Sequence, residues 1–295
     1  MKTLTSTELK QSDGPTVLLD VRLEEDHKAE SLPEAISCCV FEVGFLDAAS
    51  SLVTDKSARV CVYGSGPDSH ESRVAAEKLE RAGFTDVVDL REGIAGWKAA
   101  GLDTVVGESV QLPRVEDGKR PVDLAESRVE WLGRNLLNKH WGTVALKSGV
   151  LEISDNRIMG GEFVLDMNRL ECADLAGTKM HDILIAHLSN DDFFDVENHP
   201  EARLSIAKAT PIEGARAGAA NLELECELTL RGQTNSVIIK AVSGVTPDGK
   251  PAAQAALAID RTRWGSIYGS GKFFHRLAGH VVNDLVEIQV RIVGE

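Results

Sequence analysis

Between residues 222 and 230 every second residue is apolar: Leu222, Leu224, Cys226, Leu228 and Leu230 alternate with Glu223, Glu225, Glu227 and Thr229. Only extended chain satisfies that pattern, because successive side chains of a strand point to opposite faces, one dry and one wet. The same period returns at Val286, Ile288, Val290 and Ile292, separated by Glu287, Gln289 and Arg291. Shorter alternations occupy 129–132, 142–146, 158–165, 204–208, 237–242 and 253–259, with one helix predicted over 179–188. About eight half-buried strands joined by turn-like segments predict an antiparallel sandwich or a closed barrel.

The first third of the chain obeys a different rule. Val17-Leu18-Leu19-Asp20-Val21, Val60-Cys61-Val62-Tyr63 and Val87-Val88-Asp89-Leu90 are continuous apolar runs, as expected of strands buried on both faces. A helix is predicted over 72–82, with Val74, Ala75, Leu79 and Ala82 on one face and Gly83 as its C-cap. Thr5 and Glu8 form a capping box for a short first helix. Strands alternating with helices predict an α/β domain with a mostly parallel sheet. Around Gly107, Pro113, Gly118 and Pro121 the chain is polar and irregular. The expected division is therefore a first domain over 1–104, a linker over 105–120 and a second domain over 121–295.

Lys and Arg total 32 against 46 Asp and Glu, a net charge of −14, and both halves are acidic. Neither half offers a basic surface for phosphates, which argues against a nucleic-acid partner. No uninterrupted apolar stretch is long enough to be a transmembrane helix. Residues 1–20 lack a basic region followed by an apolar one, so no secretory signal is expected. Five cysteines, Cys38, Cys39, Cys61, Cys172 and Cys226, are odd in number and lack metal-ligand spacing; reduced, mostly buried thiols in the cytoplasm are expected.

Asp20-Val21-Arg22, Glu25-Asp26 and Leu32-Pro33-Glu34-Ala35-Ile36 open a set of motifs that resembles a rhodanese-like domain. Val62-Tyr63, Ala75-Ala76, Leu79, Gly83-Phe84 and Leu90-Arg91-Glu92-Gly93-Ile94-Ala95-Gly96-Trp97 complete it over 1–102. A sulfurtransferase of that family carries a cysteine directly after the strand, where loop N–H groups hold its thiolate or persulfide. Here Gly64 follows Tyr63. The loop 64–73, with Gly64, Ser65, Gly66, Asp68, His70 and Arg73, is longer than usual, and Asp68 and Glu71 oppose an anionic substrate. Glu34 stands where the family's Pro-Gly-Ala pattern has glycine. Cys61 lies inside the strand, and Ser65 with His70 lacks an orienting third group. The domain is expected to be a non-enzymatic binding or regulatory module with no catalytic residue. The alternative is a sulfurtransferase or phosphatase-like activity on this loop, used with a quinone held in the second domain. His27 and His70 read as surface residues.

Glu126-Ser127-Arg128-Val129-Glu130-Trp131 and Gly142-Thr143-Val144 begin a second resemblance. His187-Leu188-Ser189-Asn190-Asp191-Asp192-Phe193-Phe194-Asp195-Val196, Leu228-Thr229-Leu230-Arg231-Gly232-Gln233-Thr234 and Asp260-Arg261-Thr262-Arg263-Trp264-Gly265 follow in order. This set is similar to the YceI-like family over 121–293. The resemblance implies a lipocalin-like antiparallel β-barrel that binds a polyisoprenoid or similar amphiphile, such as an isoprenoid lipid or quinone, and it implies a homodimer. An eight-stranded barrel has room for side chains or one small ligand. A prenyl chain gains ~0.8 kcal/mol for each CH₂ removed from water.

Trp131, Phe163, Phe193, Phe194, Trp264 and Tyr268 are the candidate lining residues; a second reading has the same rings filling the barrel or plugging its ends. Phe193 and Phe194 are adjacent, so at most one faces inward in extended chain. Lys272, His275, Arg276 and His280 are candidates for a polar rim at a ligand head group. The back-domain histidines fall in separate segments, and no metal site is expected.

Overall fold

The computed structural model describes residues 2–12, 16–108 and 113–295. It divides into two compact units, residues 1–112 and 113–295.

The first unit is built on an all-parallel sheet in the spatial order Lys2–Thr3, Asp86–Leu90, Arg59–Tyr63, Thr16–Asp20, Ile36–Ser37. The three apolar runs form its centre, where helices cover both faces and no wet side remains. The Thr5–Glu8 capping box is formed, and the predicted central helix is Glu71–Arg81, ended by Gly83 at φ +94°. Asp20 organises the strand ends. Its carboxylate accepts from the Arg22 guanidinium at 2.6 and 2.9 Å and from the Tyr63 hydroxyl at 2.6 Å. The Leu32 N–H donates to the Tyr63 oxygen at 3.1 Å, so the Asp-Val-Arg motif is a buried brace.

The second unit is a closed antiparallel barrel of eight strands. In chain order they are Arg128–Arg134, Lys139–Ser154, Arg157–Cys172, Glu201–Pro211, Leu222–Leu230, Gln233–Val245, Pro251–Asp260 and Leu285–Val293. Each of the eight alternating segments in the sequence lies in one of these strands. The ladder Val290↔Val129 joins the last strand to the first, and Val144↔Leu170 pairs the long hairpin. Three register shifts in that hairpin bend its strands around the barrel. A helix, Lys179–Ser189, packs near the barrel end, N-capped by the Thr178 side chain.

The expected linker, 105–120, is largely taken up by the two units. Val105–Val106 pairs with Glu30–Ser31, and Gly118–Pro121 adds to the outside of the barrel against 150–153. Neither segment has a periodic pattern; backbone groups at a sheet edge accept a strand whatever its side chains are. Residues 109–112 of the expected linker lie outside the described residues.

Candidate functional site

The inward residues of the eight strands do not fill the barrel. A cavity of about 130 Å³ is walled by Leu151, Ile158, Phe163, Leu222, Ala241 and Ile292, among others. A second of about 100 Å³ is walled by Trp131, Val144, Met167, Leu170, Phe194 and Arg261, among others. Val129, Leu165, Leu228 and Ile288 border both, so they are two lobes in line along one interior. The surface facing each lobe is apolar. Such a space stays dry, since water needs two to four polar partners, and a dry cavity of ~150 Å³ takes a benzene-sized molecule.

The candidate aromatics separate into three groups. Phe163 faces the first lobe, and Trp131 and Phe194 face the second. Phe193 and Tyr268 instead form an aromatic cluster with His187, ring centroids 4.6–5.4 Å apart. Trp264 is fully buried on neither lobe; its indole N–H donates to the Leu228 carbonyl at 2.9 Å, which is the packing role. Its neighbour in the motif was not foreseen as a wall residue. Arg261 is 1% exposed, stacks over Phe193, and donates to the carbonyls of Asn283, Ser266, Tyr268 and Val282. With its donors committed to backbone, it fastens the segment 266–283 across the barrel end. Lys272 is engaged with Asp260 at 2.5 Å and Asp284 at 3.4 Å. His275, Arg276 and His280 are exposed and enter neither lobe.

In the first unit, Gly64 lies at the end of strand Arg59–Tyr63, and the space a side chain would enter is taken. A Cβ there would stand 2.5 Å from Glu71 Oε2 and 2.9 Å from the Glu71 Cβ. The Glu71 carboxylate accepts from the Ser65 N–H at 2.7 Å and the Ser65 hydroxyl at 3.3 Å. The loop thus presents its amide to an acid of its own chain. His70 pairs with Arg91 at 3.2 Å, so Ser65 and His70 engage separate partners and form no nucleophile–base pair. Gly66 and Asp68 lie within this loop, while Arg73 belongs to the helix Glu71–Arg81 and pairs with Glu77 at 3.1 Å. Cys61 is wholly buried, and burial pushes its thiol up to about 12.

A parallel α/β unit whose loop is occupied by a glutamate, followed by a hollow apolar barrel, defines a two-domain protein with a ligand-sized interior. Residues 121–294 match the YceI-like domain, and the chain belongs to that family. Residues 4–100 match the Rhodanese-like domain. No curated protein matches. Among solved structures, BcnA of Burkholderia cenocepacia is 18% identical over 59% of this chain and 99% of its own, with a TM-score of 0.43. A polyisoprenoid binding domain from Saccharophagus degradans is 11% identical over 61% of this chain and 99% of its own, TM-score 0.42. The rhodanese-like domain of the Alr3790 protein from Anabaena is 30% identical over 33% of this chain and 98% of its own, TM-score 0.30. Among the described residues no helix is long and apolar enough to cross a membrane.

Proposed function

We propose that the barrel holds the apolar chain of a polyisoprenoid-type amphiphile, and that the rhodanese-like unit is a binding or regulatory module without sulfur-transfer chemistry. The observation that carries the first part is the two-lobed interior with its apolar walls. Membership of the YceI-like family supports the same reading. Such a site needs no acid, base or nucleophile, because its affinity comes from removing CH₂ groups from water.

Titration calorimetry of delipidated protein with isoprenoids of graded length tests it. Affinity is expected to rise roughly fourfold for each added CH₂ until the lobes are full, at ~0.8 kcal/mol per group. It is expected to change little with salt, since an apolar tail has no charge to screen. Affinity that ignores chain length overturns the reading.

The second part rests on Gly64 and on the Glu71 carboxylate above it. Thiosulfate:cyanide sulfur transfer is expected at background level. Gly64→Cys alone is expected to restore little, because the new thiolate would meet the Glu71 carboxylate; Gly64→Cys with Glu71→Ala is expected to exceed it. Sulfur transfer by the wild-type protein well above background would refute the module reading.

A further inference from the structure

His140, Cys172 and Asp174 converge at one end of the barrel. Gly142 pairs with Cys172 in the long hairpin, and the Ala173 N–H donates to the Trp141 carbonyl at 2.7 Å. His140 lies two residues before Gly142 on one strand, Cys172 ends the other, and Asp174 follows in the turn, where its carboxylate reaches both side chains. Gly142 permits this approach, because a Cβ there would overlap the Glu171 carbonyl oxygen. His140 Nδ1 lies 2.8 Å from Asp174 Oδ2, and Cys172 Sγ lies 3.2 Å from Asp174 Oδ1. One imidazole nitrogen, one sulfur and one carboxylate oxygen all fall within 4.8 Å of one another. Nothing in the proposed lipid site uses this cluster.

We propose that His140, Cys172 and Asp174 form a three-ligand site for a divalent cation of the Zn²⁺ class. The lengths agree. Zinc bonds of roughly 2.0–2.3 Å in a tetrahedral arrangement put neighbouring donor atoms about 3.4–3.6 Å apart. The imidazole nitrogen and the sulfur each sit within 3.2 Å of an Asp174 carboxylate oxygen, and all three donors lie within 4.8 Å, so side-chain rotations bring them to that spacing. The donor set agrees too: a mixed nitrogen, sulfur and carboxylate set suits Zn²⁺ better than Mg²⁺ or Ca²⁺, which take oxygen alone. Binding forms an S–metal bond as the thiol proton leaves to solvent. Thiolate and carboxylate together then neutralise the dication, so a half-buried barrel end acquires no net charge. The fourth position is left to water.

Chelator-treated full-length protein titrated with Co²⁺, then with Zn²⁺ in competition, tests the assignment. One equivalent of Co²⁺ is expected to raise a thiolate-to-cobalt charge-transfer band and tetrahedral visible bands, and Zn²⁺ is expected to abolish both. Outer-sphere partners alone change metal affinity by about 10–100-fold. Cys172→Ser is therefore expected to remove the charge-transfer band, and His140→Ala to weaken binding by more than about 100-fold. Circular dichroism of both variants checks that the barrel is intact; His140 is half-buried, so its variant serves if Cys172→Ser unfolds. Absence of the charge-transfer band in the wild type overturns the proposal, as does a band that survives Cys172→Ser.

Discussion

Glu34 has φ +63°, in the left-handed region that costs a side chain-bearing residue about 1–2 kcal/mol. It follows Pro33 in a turn closed by the Ala35 N–H to the Leu32 carbonyl at 3.2 Å, the geometry that calls for glycine at this position. Glycine loses more chain entropy on folding, about 0.5–1 kcal/mol, which offsets part of the relief. Glu34→Gly is therefore expected to raise stability by up to about 1 kcal/mol, read as a higher urea midpoint with an unchanged slope. An unchanged or lower midpoint refutes the strain argument. Single residues also mark where the sequence is legible. Gly64 is visible in the sequence as a missing nucleophile, yet that Glu71 fills its space is not, because the two are seven positions apart on a folded loop. Trp264 and Trp131 look alike in sequence; the chain turn at Arg261–Trp264 buries one ring, while the other stays on a strand facing the cavity.

The barrel strands are legible because each repeats its period over enough residues to define a dry face. The short ones, Lys2–Thr3, Glu30–Ser31, Ile36–Ser37, Val105–Val106 and Gly118–Pro121, hold two to four residues and exist only by pairing at an edge, so no local pattern announces them. The His140, Cys172 and Asp174 cluster is hidden for a related reason: its members meet across a ladder, and their spacing along the chain carries no motif. One ladder of the barrel stops halfway along both of its strands. Gln233–Val245 and Pro251–Asp260 pair only from Ala241↔Ala255 to Val245↔Pro251, whereas Pro251–Asp260 keeps nine pairs with its other neighbour. Residues 256–260 and 236–240 thus face each other without a described pairing. Amides pointing into that gap are expected to exchange with deuterium well ahead of those in the ladder Leu222↔Ala241 to Leu230↔Gln233, since protection follows local hydrogen bonding. Equal protection on both sides of Gln233–Val245 refutes a local opening there.

Each unit buries its own apolar core. Val60, Val62, Ala76, Leu79 and Phe84 pack within residues 1–112, while Leu151, Ile158, Leu224, Ile239 and Trp264 pack within residues 113–295. Among the described residues, each buried cluster is drawn from one unit alone, so neither core depends on the other for its hydrophobic stabilisation. The lobes of the cavity are likewise lined wholly from residues 129–292. A fragment spanning residues 113–295 is therefore expected to fold on its own, with a cooperative denaturant transition. It is expected to bind isoprenoids with the same dependence on chain length as the full protein, within about twofold in affinity. Substitutions at Gly64 or Glu71 in the full chain are expected to leave that dependence unchanged. Calorimetry on the fragment and the full chain side by side decides it: if the fragment folds but loses chain-length discrimination, the rhodanese-like unit contributes to the lipid site, and the two cores are not functionally separate.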